Sequence, residues 1–487
     1  MFRICVWVCV CVLLVSCALP LAAQTWTALN NKPSFGASTA LLLTDGTVMV
    51  QPTESNSIWR LTPDKTGSYI NGTWSQLASL PSGYGPLYYA SAVLPDGKVL
   101  FEGGEYNCCG GSEVTLGALY NPATNSWTSV NPPSGWTYIG DSPSVVLPSG
   151  VFMLGQGASP STAQVVFNES TLSWTAIGAE GKADGFSEEG MTLLPNGDVL
   201  VVDTENGTHA ERYNESTTRW NSAGSTGVVL PSNGNMEIVP ELGPQILRPD
   251  GTVLANGATA NTSVYYPSAS KAGTGFWIPG PTFPAGVMAD APAALLITGN
   301  VLVDTSPFFA APSTFFEFDG ANFNAVPAPP NAVNDDSYYG RLLELPSGQV
   351  MFTDYSNQVE IYTPSGSYNS DWAPIIYSVP TSITAGQTYQ VSGVRFNGLS
   401  QGAAYGDDAQ MATNYPLVRI TNSGTGNVVY CRTHGHSTMA VATGNRVVST
   451  NFDVPSGIGT GASTLVVVAN GIPSPGVSVT IASRDSK

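Results

Sequence analysis

The sequence is poor in charged residues and in histidine. Only 11% of its 487 residues are charged, less than half of the roughly 25% found in an average soluble protein. The 17 basic residues are outnumbered by 35 acidic ones, which gives a formal net charge of -18. A chain with this charge repels phosphate backbones, so we expect no nucleic-acid partner. Only three histidines are present, so imidazole metal ligands are scarce.

Turn-forming and apolar residues are plentiful. The chain contains 52 glycines and 36 prolines, and 42% of its residues are hydrophobic. This amount of apolar material supports a core and argues against a disordered chain, whereas so many turn residues argue against a helical bundle. The composition therefore favours short elements joined by many turns.

Long apolar runs are confined to the N-terminus. An apolar stretch runs from Ile4 to Leu19, and Leu21-Ala22-Ala23 follows before Gln24. This pattern predicts a signal peptide over residues 1–23 and a secreted protein. The segment ending at Cys17 also fits the lipoprotein pattern, so a lipid anchor through Cys17 is the alternative. No later segment reaches the roughly 18 apolar residues of a spanning helix, so we expect no membrane span.

One sequence pattern recurs along the chain: an apolar run, a turn ending in glycine, one further residue and a second apolar run. The turn glycines are Gly46, Gly97, Gly150, Gly197, Gly251, Gly299 and Gly348. Their spacing matches the roughly 50-residue period of kelch repeats, in which each repeat forms one propeller blade. Seven copies predict seven blades over residues 24–372, and each pattern predicts a β-hairpin.

Aromatic residues mark a second hairpin in most repeats. Aromatic pairs seven positions apart follow the glycine turns at Tyr120 and Trp127, Phe167 and Trp174, and Tyr213 and Trp220. We assign them to the third and fourth strands, where they pack between blades. Blade 7 lacks a fourth strand of this kind. Thr25-Trp26-Thr27 would supply it and close the ring, and Trp372 is the competing segment.

The 50-residue period stops at residue 373. The remaining residues form short β-rich runs separated by turns, which predicts an immunoglobulin-like β-sandwich over residues 373–487. The predicted fold class is therefore all-β, with a seven-bladed propeller followed by a sandwich.

One face of the propeller is expected to collect acidic and phenolic residues. Counting back by the same interval from each glycine turn gives Ala37, Tyr88, Asp141, Glu188, Leu242, Asp290 and Tyr339. Nearby positions add Tyr338, Glu189, Asp203, Asp304 and Asp354. This ring is the candidate site for a ligand. The alternative is that these polar residues simply line a wet central channel.

His434-Gly435-His436 is the second candidate feature. Two imidazoles separated by a glycine in a loop can bind one metal ion. Strand alternation would also place both rings on one face without any metal.

Three cysteines follow the predicted signal peptide: Cys108, Cys109 and Cys431. The adjacent pair Cys108-Cys109 favours a vicinal disulfide in an oxidising compartment. The alternative is two small apolar residues in a glycine-rich loop.

The chain combines seven kelch-like repeats with a predicted sandwich that carries Thr433-His434 and a terminal VVVANGIPSPGVSVTI segment. This combination resembles the galactose oxidase and glyoxal oxidase family of copper radical enzymes. The resemblance covers nearly the whole chain after residue 23. In that family, copper binds to a tyrosine of an early blade, a Tyr-His pair of the last blade and a histidine of the sandwich. The early tyrosine is crosslinked to a cysteine one blade earlier and carries the radical.

The resemblance implies a copper site that is incomplete in this chain. The implied copper ligands are Tyr88, Tyr338 and His434, with His436 as a replacement for a missing ligand; Tyr88 and Tyr338 would also be catalytic. Tyr339 stands where the family has the histidine of the Tyr-His pair. Ala37 stands at the position of the crosslinking cysteine, so the thioether cannot form.

Two functions follow from these observations. The first is a secreted, monomeric binding protein whose substrate face binds a carbohydrate or another extracellular polymer. That face would include Tyr339, Asp141, Glu188 and Asp290. The second is a divergent copper-dependent oxidase acting on alcohols, aldehydes or sugars. We favour the first, because one histidine with phenols is a weak ligand set for Cu(II).

Overall fold

A computed structural model describes residues 24–484, apart from residues 109, 110, 113, 159, 232–240, 269, 271, 272 and 407–410. The predicted signal peptide, including Cys17, lies outside the described residues. Within these described residues, the secondary structure is β-strand and turn, with two single-turn helices at Ser337–Tyr339 and Ser370–Trp372. No helix in the described part of the chain is long and apolar enough to cross a membrane.

Seven antiparallel sheets form a propeller, which confirms the seven blades predicted from the repeat. Blade 1 contains the strands Ala37–Leu42, Val48–Pro52, Trp59–Thr62 and Thr73–Gln76. Blade 2 contains Ala90–Val93, Val99–Glu102, Gly117–Asn121 and Ser126–Val130. Blade 3 contains Ser144–Val146, Phe152–Gly155, Gln164–Asn168 and Ser173–Ile177. Blade 4 contains Thr192–Leu193, Val199–Val202, His209–Asn214 and Arg219–Ser225. Blade 5 contains Ile246–Leu247, Val253–Ala255, Ser263–Tyr266 and Phe276–Pro279. Blade 6 contains Pro292–Leu295, Val301–Thr305, Thr314–Phe318 and Phe323–Ala325. Blade 7 contains Arg341–Glu344, Val350–Thr353, Glu360–Thr363 and the N-terminal strand Thr25–Ala28.

The recurring glycines form the hairpin turns between the first two strands of each blade. All seven have φ between 74° and 92°, a region that side chains other than glycine rarely adopt. In the first turn, the Gly46 N–H donates to the Leu43 carbonyl at 2.9 Å. We call the end of the propeller that carries these turns the turn face, and the opposite end the mouth. The inner strands run between these two ends.

The N-terminal strand closes the ring as predicted. Thr25–Ala28 pairs antiparallel with Glu360–Thr363 and becomes the fourth strand of blade 7. The Trp26 ring packs edge-on against Phe315 and Phe352, with ring centroids 5.2 and 5.6 Å apart. Its Nε1 donates to the Pro327 carbonyl at 2.6 Å. Trp372, the competing candidate, lies in the single-turn helix after the propeller.

Replacing Trp26 with alanine should weaken this closure. Trp26→Ala removes the aromatic contacts between blades 6 and 7, so we expect the free energy of unfolding to fall by about 3 kcal/mol. Trp372→Ala is the matched control and should cost less, since it leaves the ring closed. Urea unfolding of the two variants measures the difference. A larger loss for Trp372→Ala would contradict this assignment.

The predicted aromatic pairs lie directly opposite each other on the third and fourth strands. The cross-strand pairs include Tyr120 with Trp127 and Tyr213 with Trp220, at centroid distances of 5.0 and 5.3 Å. The Trp127 indole also donates to the Ala78 carbonyl of the preceding blade at 2.9 Å. These aromatics therefore pack within and between blades, as the sequence predicted.

The C-terminal strands form one curled sheet with an apolar interior, consistent with a β-sandwich. Its strands are Ile375–Ser378, Thr388–Val394, Val448–Asp453, Val428–His434, Leu417–Asn422, Gly461–Ala469, Val477–Ala482, Ser382–Thr384 and Ile472–Pro473. The strand Val428–His434 pairs with a different neighbour at each end and so joins the two layers. The buried interior of the sandwich includes Val391, Val418 and Phe452.

The sandwich packs on the turn face and sends one strand into the channel. The Thr433 N–H donates to the Thr44 carbonyl at 3.1 Å, and the Val428 N–H donates to the Lys65 carbonyl at 2.8 Å. The short strand Ala403–Tyr405 pairs with the inner strand of blade 6, Pro292–Leu295. Tyr405 pairs with Pro292, the first residue of this inner strand, so the insertion carries a sandwich residue to the mouth end of the channel.

Candidate functional site

Four residues just before the inner strands of their blades have an unusual backbone. Tyr88, Asp141, Glu188 and Asp290 have φ of 49°, 47°, 60° and 44°, in the left-handed region. This conformation costs roughly 1 to 2 kcal/mol for a residue with a side chain. Such strain is often found at functional sites, where the surrounding structure holds it in place. All four residues line one cavity at the mouth.

The cavity has a volume of about 1120 Å³ and two chemically different walls. The aromatic wall consists of Tyr88, Phe309, Tyr338, Tyr339 and Tyr355. The acidic wall consists of Asp141, Glu188, Glu241 and Asp290. Tyr339, Asp141, Glu188 and Asp290, which the sequence analysis predicts as a substrate face, all line this cavity.

Ring contacts connect the aromatic wall. Phe309 lies edge-on to Tyr338 at a centroid distance of 5.6 Å, and Tyr338 lies 4.5 Å from Tyr339. Tyr339 is 5.0 Å from Tyr355, whose hydroxyl donates to the Tyr88 hydroxyl at 2.9 Å. The result is a continuous phenolic and apolar surface along one side of the cavity.

The acidic wall is held close together. One carboxylate oxygen each from Glu188, Glu241 and Asp290 lies within 4.8 Å of the other two. Burial, together with the charge of Asp141, raises the pKa of Glu241 to about 7. Burial also raises the pKa of Asp141, although the Tyr138 hydroxyl donates to it at 2.9 Å.

A buried arginine lies beside the aromatic wall. The Arg341 guanidinium carbon is 3.6 Å from the centre of the Tyr405 ring and 5.5 Å from that of Tyr88. Its Nη1 donates to the carbonyls of Tyr338 at 2.9 Å and Gly340 at 2.8 Å. These contacts fix a permanent positive charge among the tyrosines.

The residue that the sandwich delivers to this site is Tyr405. Its ring is nearly parallel to that of Tyr88, at a centroid distance of 6.2 Å, and its hydroxyl donates to the Tyr338 carbonyl at 3.2 Å. The resemblance had implied a histidine in this role.

His434 and His436 do not join Tyr88 and Tyr338, contrary to the expectation. The Nε2 of His434 is 3.1 Å from Asp453 Oδ1, at the end of a strand that packs on the turn face. Tyr88 precedes its inner strand at the mouth, six residues from the turn, which corresponds to roughly 20 Å of extended strand. The physical reason is strand pairing: Val428–His434 is held by Val448–Asp453 and does not enter the channel.

The other two histidines are also engaged elsewhere. His436 Nδ1 is 2.9 Å from Thr450 Oγ1, and burial lowers the pKa of this imidazole to about 3. His209 Nδ1 is 2.6 Å from Asp203 Oδ2.

Several acidic residues placed in the ring by sequence do not line the cavity. Glu189 lies in a buried ion-pair network, 3.0 Å from Lys182 Nζ, and Asp203 bonds to His209. Asp304 is buried, and Asp354 accepts from Ser356. Ala37 and Leu242 are also fully buried, so they do not contribute to the site.

Sequence reasoning missed Glu241, Arg341 and Tyr405. In blade 5, Leu242 bridges to Gly257 and is buried, so its neighbour Glu241 faces the mouth instead. Strand alternation was the signal that could have identified Glu241. The position of Tyr405 depends on the strand insertion, which has no local sequence signal.

The disulfide prediction involves a residue outside the described part of the chain. Cys109 is not described, so a Cys108-Cys109 bond remains a prediction. The Cys108 N–H donates to the Gly85 carbonyl at 2.8 Å. Cys431 is a free, buried thiol in the sandwich, and burial raises its pKa.

No protein-family model and no curated protein matches the chain. Among solved structures, it is similar to a novel fungal alcohol oxidase with catalytic diversity among the AA5 family, in complex with copper. The two share 13% identity with a TM-score of 0.53, over 94% of this chain and 99% of that one. The chain has the fold of the galactose oxidase family. At this identity, the likeness shows the fold alone.

Two further structures have lower scores. The structure of YjhT shares 14% identity with a TM-score of 0.41, over 61% of this chain and 99% of that one. The extracellular domain of a hybrid two component system from B. thetaiotaomicron shares 11% identity with a TM-score of 0.46, over 94% of this chain and 59% of that one.

The residues at the mouth do not fit the copper centre that this fold carries in the oxidase family. Cu(II) favours imidazole nitrogen ligands, whereas the mouth offers phenols and carboxylates. Burial raises the pKa of Tyr88 well above its usual value, which disfavours a phenolate ligand. The fixed Arg341 guanidinium adds a positive charge that would repel a metal ion placed beside Tyr88.

Proposed function

We propose that this protein is an exported, monomeric binding protein whose propeller mouth binds a neutral carbohydrate. The observation that supports this most strongly is the two-walled cavity of about 1120 Å³, with aromatic rings on one side and carboxylates on the other. The apolar faces of sugar rings pack on aromatic side chains, while their hydroxyls donate to carboxylates. The N-terminal signal pattern supports export.

The charge of the protein narrows the ligand class. The net charge of -18 and the acidic wall repel polyanions such as sulfated or uronic-acid-rich polysaccharides. A neutral glycan avoids this repulsion and uses both walls. We therefore favour neutral polysaccharides over acidic ones.

A copper-dependent oxidase is the weaker candidate. It is suggested by the fold, but each of the three histidines bonds away from Tyr88 and Tyr338. Fold alone does not carry an activity when the site residues differ.

Exposed aromatics at the mouth should carry much of the binding energy. Phe309 is 41% exposed and Tyr106 is 43% exposed, and both line the cavity. We expect Phe309→Ala and Tyr106→Ala each to weaken glycan binding about tenfold, because each removes a stacking surface worth about 1.4 kcal/mol. The measurement is a screen on immobilised neutral glucans, galactans, xylans and mannans, followed by calorimetry with the best oligosaccharide.

Phe276→Ala is the matched control for this test. Phe276 is 56% exposed on the outermost strand of blade 5, away from the mouth. Its replacement should leave affinity unchanged. Equal affinity in all three variants, or binding of acidic glycans alone, would overturn the proposal.

A further inference from the structure

Three carboxylates converge at the mouth from three consecutive blades. Glu188, Glu241 and Asp290 precede the inner strands of blades 4, 5 and 6, and each offers an oxygen within 4.8 Å of the other two. Like charges this close repel each other unless a cation or protons reduce their charge.

Glu241 provides an independent indication of a missing partner. The residue is 6% exposed, and its Oε2 has no hydrogen-bond partner among the residues that the structure describes. A buried carboxylate oxygen normally accepts at least one hydrogen bond or binds a cation. This oxygen belongs to the same carboxyl group that meets Glu188 and Asp290.

We propose that Glu188, Glu241 and Asp290 bind a hard divalent cation, Ca²⁺, at the mouth of the channel. The ligand atoms are all oxygens, which suits a hard cation and not copper or zinc. Ca–O bonds of about 2.3 to 2.6 Å allow two ligand oxygens to lie up to about 5.2 Å apart, so Ca²⁺ can bind three oxygens that all lie within 4.8 Å of one another. Mg²⁺ is usually bound by one or two carboxylates and keeps several waters, whereas this group offers three carboxylates.

In a second group of three acidic residues, a lysine side chain already balances the carboxylate charges. Oxygens of Asp184, Asp203 and Glu211 also lie within 4.8 Å of one another. Here the buried Lys182 Nζ lies 2.6 Å from Asp184 and 2.9 Å from Glu211, and so supplies the positive charge. That group therefore does not need a metal ion.

The calcium site goes beyond carbohydrate binding and does not depend on it, since the test uses the metal ion alone. Protein freed of metal with a chelator is titrated with CaCl₂ by calorimetry at neutral pH. We expect one site with a Kd of about 1 mM or tighter, the range of extracellular calcium modules. Glu241→Gln should weaken binding at least about tenfold, because it removes one of three charged ligands.

Glu54→Gln is the matched control. Glu54 is exposed at the same cavity but lies outside the carboxylate group, so this variant loses the same charge without losing a ligand. Its calcium affinity should remain within about twofold of the unmodified protein.

Thermal unfolding separates loss of binding from loss of folding. Calcium should raise the unfolding temperature of the unmodified protein and of Glu54→Gln, and at the same calcium concentration should raise that of Glu241→Gln much less. Without calcium, Glu241→Gln should be at least as stable as the unmodified protein, since a repulsive charge is gone. If Glu241→Gln fails to fold, Glu188→Gln takes its place. The proposal would be overturned if the unmodified protein bound no calcium at a calcium concentration of about 10 mM. It would also be overturned if Glu241→Gln, or Glu188→Gln in its place, bound calcium as tightly as the unmodified protein.

Discussion

Copper-loaded protein is expected to keep an unmodified Tyr88 and to show no tyrosyl radical. The crosslink that the family resemblance implies needs a cysteine sulfur, and Ala37 stands at that position. Ala37 is completely buried in the inner strand of blade 1. Without sulfur substitution, a tyrosine ring is also harder to oxidise.

The surroundings of Tyr88 oppose radical formation for a second reason. Its hydroxyl accepts from Tyr355, and the desolvation of the partly buried ring raises the pKa of the phenol and keeps it protonated. The Arg341 guanidinium beside the ring disfavours loss of a further electron, since that would add positive charge nearby. We therefore expect no radical even when copper is supplied in excess.

Peptide mass spectrometry and electron paramagnetic resonance test this prediction together. The protein is incubated with Cu(II) and an oxidant, and a copper radical oxidase that carries the tyrosine–cysteine crosslink is treated in parallel as the positive control. The Tyr88 peptide should keep its unmodified mass, and the radical signal should be present only in the control. A crosslinked Tyr88 peptide or a persistent radical in this protein would contradict the account.

Thermal stability is expected to be highest in mildly acidic solution and to fall by about 10 °C between pH 5 and pH 8. Several carboxyl groups are buried in the folded protein. Glu102 is completely buried, and neither of its oxygens has a hydrogen-bond partner in the described structure; burial raises its pKa well above the usual value. Burial also raises the pKa of Glu344 to about 7, although Thr413 and Asn470 donate to it.

The direction of the pH dependence follows from proton binding. Above about pH 4.5 the unfolded chain has released these protons, whereas the folded protein keeps the proton of Glu344 until about pH 7 and also keeps that of Glu102 above the usual range. Folding therefore takes up protons in this range, and stability falls as pH rises. Each unit of raised pKa corresponds to about 1.4 kcal/mol, so a few such groups produce a large effect.

Glu102→Gln should flatten this dependence. The substitution keeps the shape of the side chain and removes its ionisation, so it should raise the unfolding temperature at pH 8 but not at pH 5. Glu180→Gln is the control, because the Glu180 side chain is 68% exposed in a surface pair with Arg219. Differential scanning calorimetry from pH 5 to pH 8 measures both variants. Stability that rises steadily up to pH 8 would contradict this interpretation.

The blades were predictable because their signals are local. Each glycine turn needs a positive φ, and each aromatic pair is separated by one short hairpin, so both patterns repeat in the sequence wherever a blade occurs. The closing strand was also predictable, since Trp26 repeats the aromatic position of a fourth strand and blade 7 lacked one.

The acidic half of the mouth was partly predictable for the same reason. Asp141, Glu188 and Asp290 lie at a fixed distance before the glycine turns, and the structure places all three on one cavity. The count failed in blade 5, where Leu242 faces the interior and Glu241 takes the position at the mouth. Counting a fixed number of residues back from each glycine turn cannot detect that the side chain at the mouth comes from the preceding residue in this blade.

The sandwich contribution was not predictable. Which of its strands enters the channel depends on pairing between residues more than 100 positions apart, as in Ala403–Tyr405 with Pro292–Leu295. His434 was chosen by resemblance to the copper family, but its strand pairs within the sandwich. Arg341 gave no signal because buried arginines are rare and depend on tertiary partners.

The most direct test of the central claim is to locate the bound glycan by hydrogen–deuterium exchange. The protein is compared with and without a saturating concentration of the best oligosaccharide from the screen. Binding at the mouth predicts slower exchange in peptides covering residues 104–107, 186–190, 305–310 and 336–340, which carry the cavity-lining side chains. Slower exchange confined to residues 428–432 and 453–455, which border a second cavity between the propeller and the sandwich, would contradict the account.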